Sequence, residues 1–370
     1  MNWLKSACIL IFLLGCSRLP NEGLGSANSI AGFYLLNRGN MGSNKCTLDY
    51  YDYATGIYTK NIYAERNSDF GPELGDVGND MAINGDYLWV VVNGSNLVEV
   101  IDVRTGWHVG QIPIPNCRSI IFKDQYAYVS SYASPMEMDP NAPLGYVAKI
   151  DASSFEVVAT CAVGYQPEEM AIVGDFLYVA NSGVYRVPDY DHTVSVINLH
   201  IFQEVMKIDV APNLHRMEAD AYGNIWVSSR GDYYDIPSMT FVVSSENNAV
   251  VDVLDNLPCT DMALCGDSLY VYSNTWNNFT QNSDVNYAIV DVKTHQVVDN
   301  SFITDDTDTQ IQNPNGIAVN PQTHEIFVTD ARDEFTPGKL YCFSPEGRLK
   351  WSVNTGDIPS RIVFTPTPLL

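Results

Sequence analysis

The chain has 370 residues, 44 acidic against 20 basic, and a formal net charge of −24. A surface this acidic repels a phosphate backbone, which excludes nucleic acid as a partner. No stretch is low in complexity, and the length suits one closed repeat array better than a string of small domains.

At the start, Lys5 precedes the apolar run ACILIFLLG (7–15), which is too short to span a bilayer. The run ends in Leu13-Leu14-Gly15-Cys16, which resembles a bacterial lipobox. It predicts a signal peptide over residues 1–15 and an acylated Cys16. A Pro/Gly/Ser-containing linker over 16–31 follows, giving an exported, tethered protein without a transmembrane helix. The six later cysteines (Cys46, Cys117, Cys161, Cys259, Cys265 and Cys342) form no CxxC and read as small buried hydrophobes, their pairing left open.

From GFYLLNRGN (32–40) onward one sentence repeats. NDMAINGDYLWVVVNG begins at Asn79, CRSIIFKDQYAYVSS at Cys117, QPEEMAIVGDFLYVANSG at Gln166 and HRMEADAYGNIWVSS at His215. CTDMALCGDSLYVYS follows at Cys259 and NPNGIAVNPQTHEIFVTD at Asn313. Each is an apolar strand, a tight turn such as Gly174-Asp175, and a second apolar strand, which is the pattern of a β-hairpin. Aligned on Met81, Ile120, Met170, Met217, Met262 and Ile317, the copies are spaced by 39, 50, 47, 45 and 55 residues. Short strands repeating near this period predict a β-propeller. A second alternating hairpin follows each first one, as in LVEVIDVRTGWHVGQIPI (97–114). Each blade therefore has four antiparallel strands, a to d from the axis outward.

The segment at 32–40 lacks a first strand, and IPSRIVFTP (358–366) supplies it, with Ile362 at the aligned position. The expectation is an all-β, seven-bladed propeller over residues 32–370, with the first blade closed by the C-terminal strand.

The a–b turns are short. The b–c loops (131–145, 182–192, 229–239, 274–286 and 330–338) and the d–a links 64–79 and 304–315 are long, and all of them fall on one face. Excess loop length concentrated on one face assigns binding to it. The residues just before each aligned position should ring the axis there. They are Asn79 and Asp80, Arg118 and Ser119, Glu168 and Glu169, His215 and Arg216, Thr260 and Asp261, Asn315 and Gly316, Ser360 and Arg361. The long loops add Arg230 and the aromatic residues Tyr132, Tyr185, Tyr190, Tyr233, Tyr234, Trp276, Phe279 and Phe335. Polar groups of both signs with amphipathic aromatic rings suit a large ligand that is part apolar and part amide.

Catalytic patterns are thin: there is no GxSxG and no histidine pair at metal spacing. Glu169, Asn315 and Asp261 imitate the ligands of metal-dependent lactonase propellers, but three rim arginines oppose a bare cation site. The reading is of a binder with no resident cofactor or metal. A hydrolase on the same face, or a propeller that binds a protein or glycan, stands as the alternative.

Several stretches carry a more specific likeness: GNMGSNKCTLDYYDYATGIY (39–58), LGDVGNDM (74–81), VGYQPEEMAIVG (163–174), VAPNLHR (210–216), VSSRGDYYDIPS (227–238) and TGDIPSR (355–361). With the lipoprotein start, they resemble YncE-like seven-bladed propellers, and more narrowly the surface cobalamin-binding lipoproteins of Bacteroidetes (the BtuG type). The resemblance implies an outer-membrane, cell-surface lipoprotein that captures cobalamin and other corrinoids and passes them to a TonB-dependent barrel transporter. It implies ligand contacts from Asp80, Arg118, Glu169, Arg216, Arg230 and Arg361 at the rim, and from Tyr132, Tyr185, Tyr234 and Trp276 in the loops.

Overall fold

A computed structural model describes residues 29–70, 73–277 and 282–370. The leader and Cys16 lie outside these residues. The described chain forms seven four-stranded antiparallel sheets arranged as a propeller. The innermost strands of blades 2 to 7 are Gly78–Asn84, Cys117–Lys123, Pro167–Val173, Leu214–Ala219, Asp261–Cys265 and Pro314–Val319. Blade 1 takes its innermost strand, Pro359–Thr365, from the end of the chain and the next three, Gly32–Asn37, Thr47–Asp52 and Ile57–Thr59, from the beginning. Each innermost strand touches the next, all the way round.

The repeat is legible in the register. Met81, Ile120, Met170, Met217, Met262 and Ile317 each pair with a valine of the neighbouring b strand, and Ile362 pairs with Leu35. The first six are buried in the seams between blades. The tight a–b turns need a left-handed backbone, which Gly85 and Gly174 supply at φ +60° and +57° and Asp124 at φ +53°. The outermost strands of blades 5 and 7 alternate between half-buried and exposed side chains, as an edge facing solvent should.

The closing seam is aromatic. Phe33 meets Phe327 at 5.1 Å between centroids, Phe327 meets Phe364 at 5.7 Å, and Trp351 stacks on Tyr51 at 4.9 Å. The C-terminal strand therefore supplies both a ladder and part of a core.

Two details depart from the expected pattern. Residues 274–277 and 282–286, read as part of a loop, continue the hairpin of blade 6: its strands run Ser268–Asn277 and Asn282–Asp291, with Asn274 opposite Val285. The link after blade 1 holds a short helix, Ile62–Arg66, capped by the Asn61 side chain on the Ala64 amide. The six cysteines beyond the leader are free, and all but Cys265 are buried. No helix among the described residues is long and apolar enough to cross a membrane.

Deleting residues 357–370 should strip the inner ladder from Gly32–Asn37 and remove Phe364 from the aromatic seam, with loss of most of the stability. Thermal unfolding of the truncated and full-length proteins checks this, and an unchanged midpoint would be incompatible with closure by this strand.

Candidate functional site

The rim is built by β-bulges. In blade 3, Arg118 and Ser119 together oppose one residue, Ser130; in blade 4, Glu168 and Glu169 oppose Ala180; in blade 5, His215 and Arg216 oppose Ser228. The same register shift surrounds Asn79, Asn315 and Ser360 in blades 2, 7 and 1. An extra residue breaks the strict alternation and re-aims adjacent side chains. In blades 1 to 5 two polar residues can thus approach the axis while the next residue stays in the seam; in blade 6, Asp261 pairs in regular register with Tyr272. Hydroxyls fill the gaps: Ser130 Oγ accepts from the Ser119 amide at 3.1 Å, and Ser228 Oγ from the Arg216 amide at 3.0 Å.

The rim charges form two storeys. In the lower one, acidic residues of blades 2 and 4 reach the following blade, while Asp261 of blade 6 pairs with Arg216 and Arg361. Asp80 Oδ2 accepts from the Ser119 hydroxyl at 2.7 Å and the Ile120 amide at 3.0 Å. Glu169 Oε2 accepts from the Met217 amide at 3.0 Å, and Asp261 Oδ1 accepts from the Met262 amide of its own strand at 3.0 Å. Arg216 joins Glu169 at 2.5 Å to Asp261 at 3.0 Å. Arg361 crosses the axis and pairs with Asp80 at 3.4 Å, with Asp261 at 3.8 Å and with Glu169. This network floors the mouth.

The upper storey centres on Glu168. Arg118 Nε and Nη2 donate to its Oε2 at 3.2 and 3.1 Å, and Arg230 Nη1 donates to Oε1 at 3.2 Å. The Tyr132 hydroxyl donates to Oε1 at 2.6 Å, and Arg118 lies 4.7 Å from the Tyr132 ring centroid. Burial alone would raise the Glu168 pKa, but Arg118, Arg230 and the tyrosine outweigh it and hold it down at about 2. Removing one member of such a buried cluster typically costs about 3–5 kcal/mol.

Above the floor lies a cavity of about 300 Å³. Of the residues predicted for the site, Arg118, Glu169, Arg216, Arg230, Arg361, Tyr132 and Tyr185 line it. Asp80 lies in the floor, and Tyr132 is buried as a prop for Glu168. Tyr234 stands out at a loop tip, 85% exposed, while its neighbour Tyr233 lines the cavity. Trp276 belongs to the blade 6 hairpin; its side chain, and all of Phe279, lie outside the described residues. Arg230 is positioned by the turn behind it: Gly231, at φ +67°, sits where a Cβ would strike the Ile236 carbonyl.

Sequence reasoning missed Arg38 as a site residue, although it stands in GFYLLNRGN. It follows the b strand of blade 1, the position that Tyr132 and Arg230 hold in blades 3 and 5, and it lines the cavity. His215 lines it too, with neither ring nitrogen hydrogen-bonded among the described residues. Burial first, then the charges of Arg230, Arg216, Arg118 and Arg38, hold its pKa well below the usual histidine value, so it is neutral at pH 7.

Glu218 lies next to Met217, on the opposite side of its strand and inside the ring. Loss of water, then the negative charges of Asp261 and Asp80, push its pKa up to about 8. The folded protein therefore holds a proton that the unfolded chain releases above about pH 4.5, and this group's contribution to stability declines as pH rises from there towards 8. A Glu218→Gln variant should match the wild type near pH 5 and melt higher than it at pH 9. Thermal melts at pH 5, 7 and 9 test this, and parallel curves would contradict it.

A ring of blades with a floored, charged mouth under long loops defines the class: a seven-bladed β-propeller with a cavity at its axial mouth. The chain belongs to the DUF5074 family, a domain of unknown function, which matches residues 31–365. No curated protein matches it. Among solved structures, it is similar to a quinonprotein alcohol dehydrogenase-like protein of Bacteroides thetaiotaomicron (TM-score 0.59, 15% identity, 92% of this chain and 79% of that one). It is also similar to Kuenenia stuttgartiensis hydrazine synthase (TM-score 0.59, 15% identity, 73% and 77%) and to the Pan2 WD40 domain of Neurospora crassa (TM-score 0.52, 12%, 77% and 81%). At these identities the likeness is one of fold alone.

Proposed function

We propose that the protein is a surface lipoprotein of the outer membrane that captures a corrinoid over the axial mouth and passes it to a TonB-dependent barrel. The observation that carries this reading is the mouth itself. A rigid ionic floor and a cavity edged by Arg118, Arg230, Tyr185 and Tyr233 offer spread-out donors and acceptors beside apolar ring surface. A corrinoid is large, amide-rich and only partly apolar, and it gains most from many fixed polar contacts. It is several times larger than the cavity, so one edge enters the mouth and the rest leans on the loops. The likeness of the rim and loop stretches to the BtuG-type lipoproteins supports the same ligand.

The loop tips support a partner. Met41, Met138, Tyr234 and Phe335, from the b–c loops of four blades, are each at least 60% exposed. An apolar crown at the loop tips suits docking on another protein.

The chemistry of the cavity favours binding over turnover. Glu168 is held ionised by two guanidiniums and a tyrosine, and His215 is held neutral by four, which makes both weak bases. Glu169 and Asp261, the lactonase-like pair, are bound to Arg216 and Arg361 and do not stand free for a cation.

Isothermal titration with cyanocobalamin tests the ligand. Arg230→Ala and Tyr185→Ala should each weaken binding by about 1–3 kcal/mol, while Asp267→Asn, on the opposite face, should not change it. No heat with the wild type would refute the corrinoid, and equal affinity for all three variants would move the site elsewhere. Cys16→Ala should release the protein from the outer-membrane fraction; retention there would place the anchor at another residue.

A further inference from the structure

The upper storey of the mouth is unbalanced in charge. Three guanidiniums, Arg38, Arg118 and Arg230, line it with one partner carboxylate, Glu168. The acids of the floor are consumed by Arg216 and Arg361 and by backbone amides. Arg38 differs from the other rim arginines in having neither an ion pair nor a side-chain hydrogen bond among the described residues. Glu334, an opposing carboxylate near it, accepts instead from the Asn313 amide at 3.1 Å. Burial, then the charge of Arg118, lowers the Arg38 pKa, which is the mark of a guanidinium enclosed without sufficient counter-charge. His215 adds an unbonded neutral imidazole, able to donate one N–H. A guanidinium and an imidazole left unpaired on a cavity wall are costly in isolation and become favourable when an anion satisfies both.

We propose that Arg38, Arg230 and His215 form an oxyanion subsite in the mouth, which takes a phosphate or carboxylate group of the ligand. Arg38 stands on blade 1 and the other two on blade 5, so the anion is gripped from both sides of the axis. Its ligand class is narrower than "anion". The protein as a whole carries −24, which repels polyanions at long range. The subsite therefore suits a molecule that is mostly neutral and bears a single oxyanion. The inference rests on the cavity being the ligand site, and not on the ligand being a corrinoid.

The test reads the subsite directly. Protein labelled with ¹⁵N-histidine is titrated at pH 7 and constant ionic strength with sodium phosphate and, separately, sodium acetate. The His215 ring signals are assigned with His215→Gln. At least one of the two anions should shift those signals saturably and raise the pH at which the ring protonates, and the tighter of them names the group. Arg38→Gln should weaken the effect at least about tenfold. Its unfolding midpoint should not fall, since Arg38 makes no ion pair in the fold and its buried charge is unfavourable there. If neither anion moves His215 in the wild type, or if Arg38→Gln responds as the wild type does, the subsite is wrong. Because the probes are phosphate and acetate alone, a failure to bind cyanocobalamin would leave this result standing.

Discussion

The constraint on which the structure depends is that seven inner strands turn charged residues towards one axis, where water is scarce and a lone charge is expensive. The solution is alternation between blades. Acids stand on blades 2, 4 and 6 and arginines on blades 3, 5 and 1, with the neutral Asn315 on blade 7 bonding to the Pro359 carbonyl at 3.0 Å. Asp80 and Glu169 also take an amide from the following blade, so the pairing that neutralises the rim stitches those seams together. A buried ion pair gains little over an apolar one, but its geometry is demanding, and here it fixes the relative position of neighbouring blades.

Arg361 ties this network to chain closure. It lies on the last strand, which completes blade 1, and it pairs with acids on blades 2, 4 and 6. Docking that strand therefore closes the ring of sheets and floors the channel in one step. The arrangement also divides labour. The lower storey is ion-paired and structural, while the upper storey keeps an excess of guanidinium groups facing the cavity. A ligand can then exploit the upper groups without unlocking the blades.

Much of this was legible in the chain. The repeat, the composite first blade and the identity of the rim positions followed from Met170 and its equivalents, because strand periodicity and turn dipeptides are local signals. The strand extension in blade 6 was not legible: Asn, Thr and Ser at 274–286 read as loop, yet tertiary context let the hairpin continue. Tyr132 and Tyr234 looked alike as loop aromatics; one is a buried prop and the other a loop tip. Arg38 follows a b strand just as Tyr132 and Arg230 do, and it was overlooked because the loop it opens was not counted among the long ones.

The sequence by itself determined the architecture, the closing strand and the face that carries the long loops, since all three depend on spacing and alternation along the chain. Only the tertiary structure decided which charges find each other. Arg361 and Glu169 are 192 positions apart and on blades 1 and 4, yet they pair across the axis. Bulges set the direction of the rim side chains on most blades, and no local pattern records whether a guanidinium will meet a carboxylate or, like Arg38, be left facing the cavity.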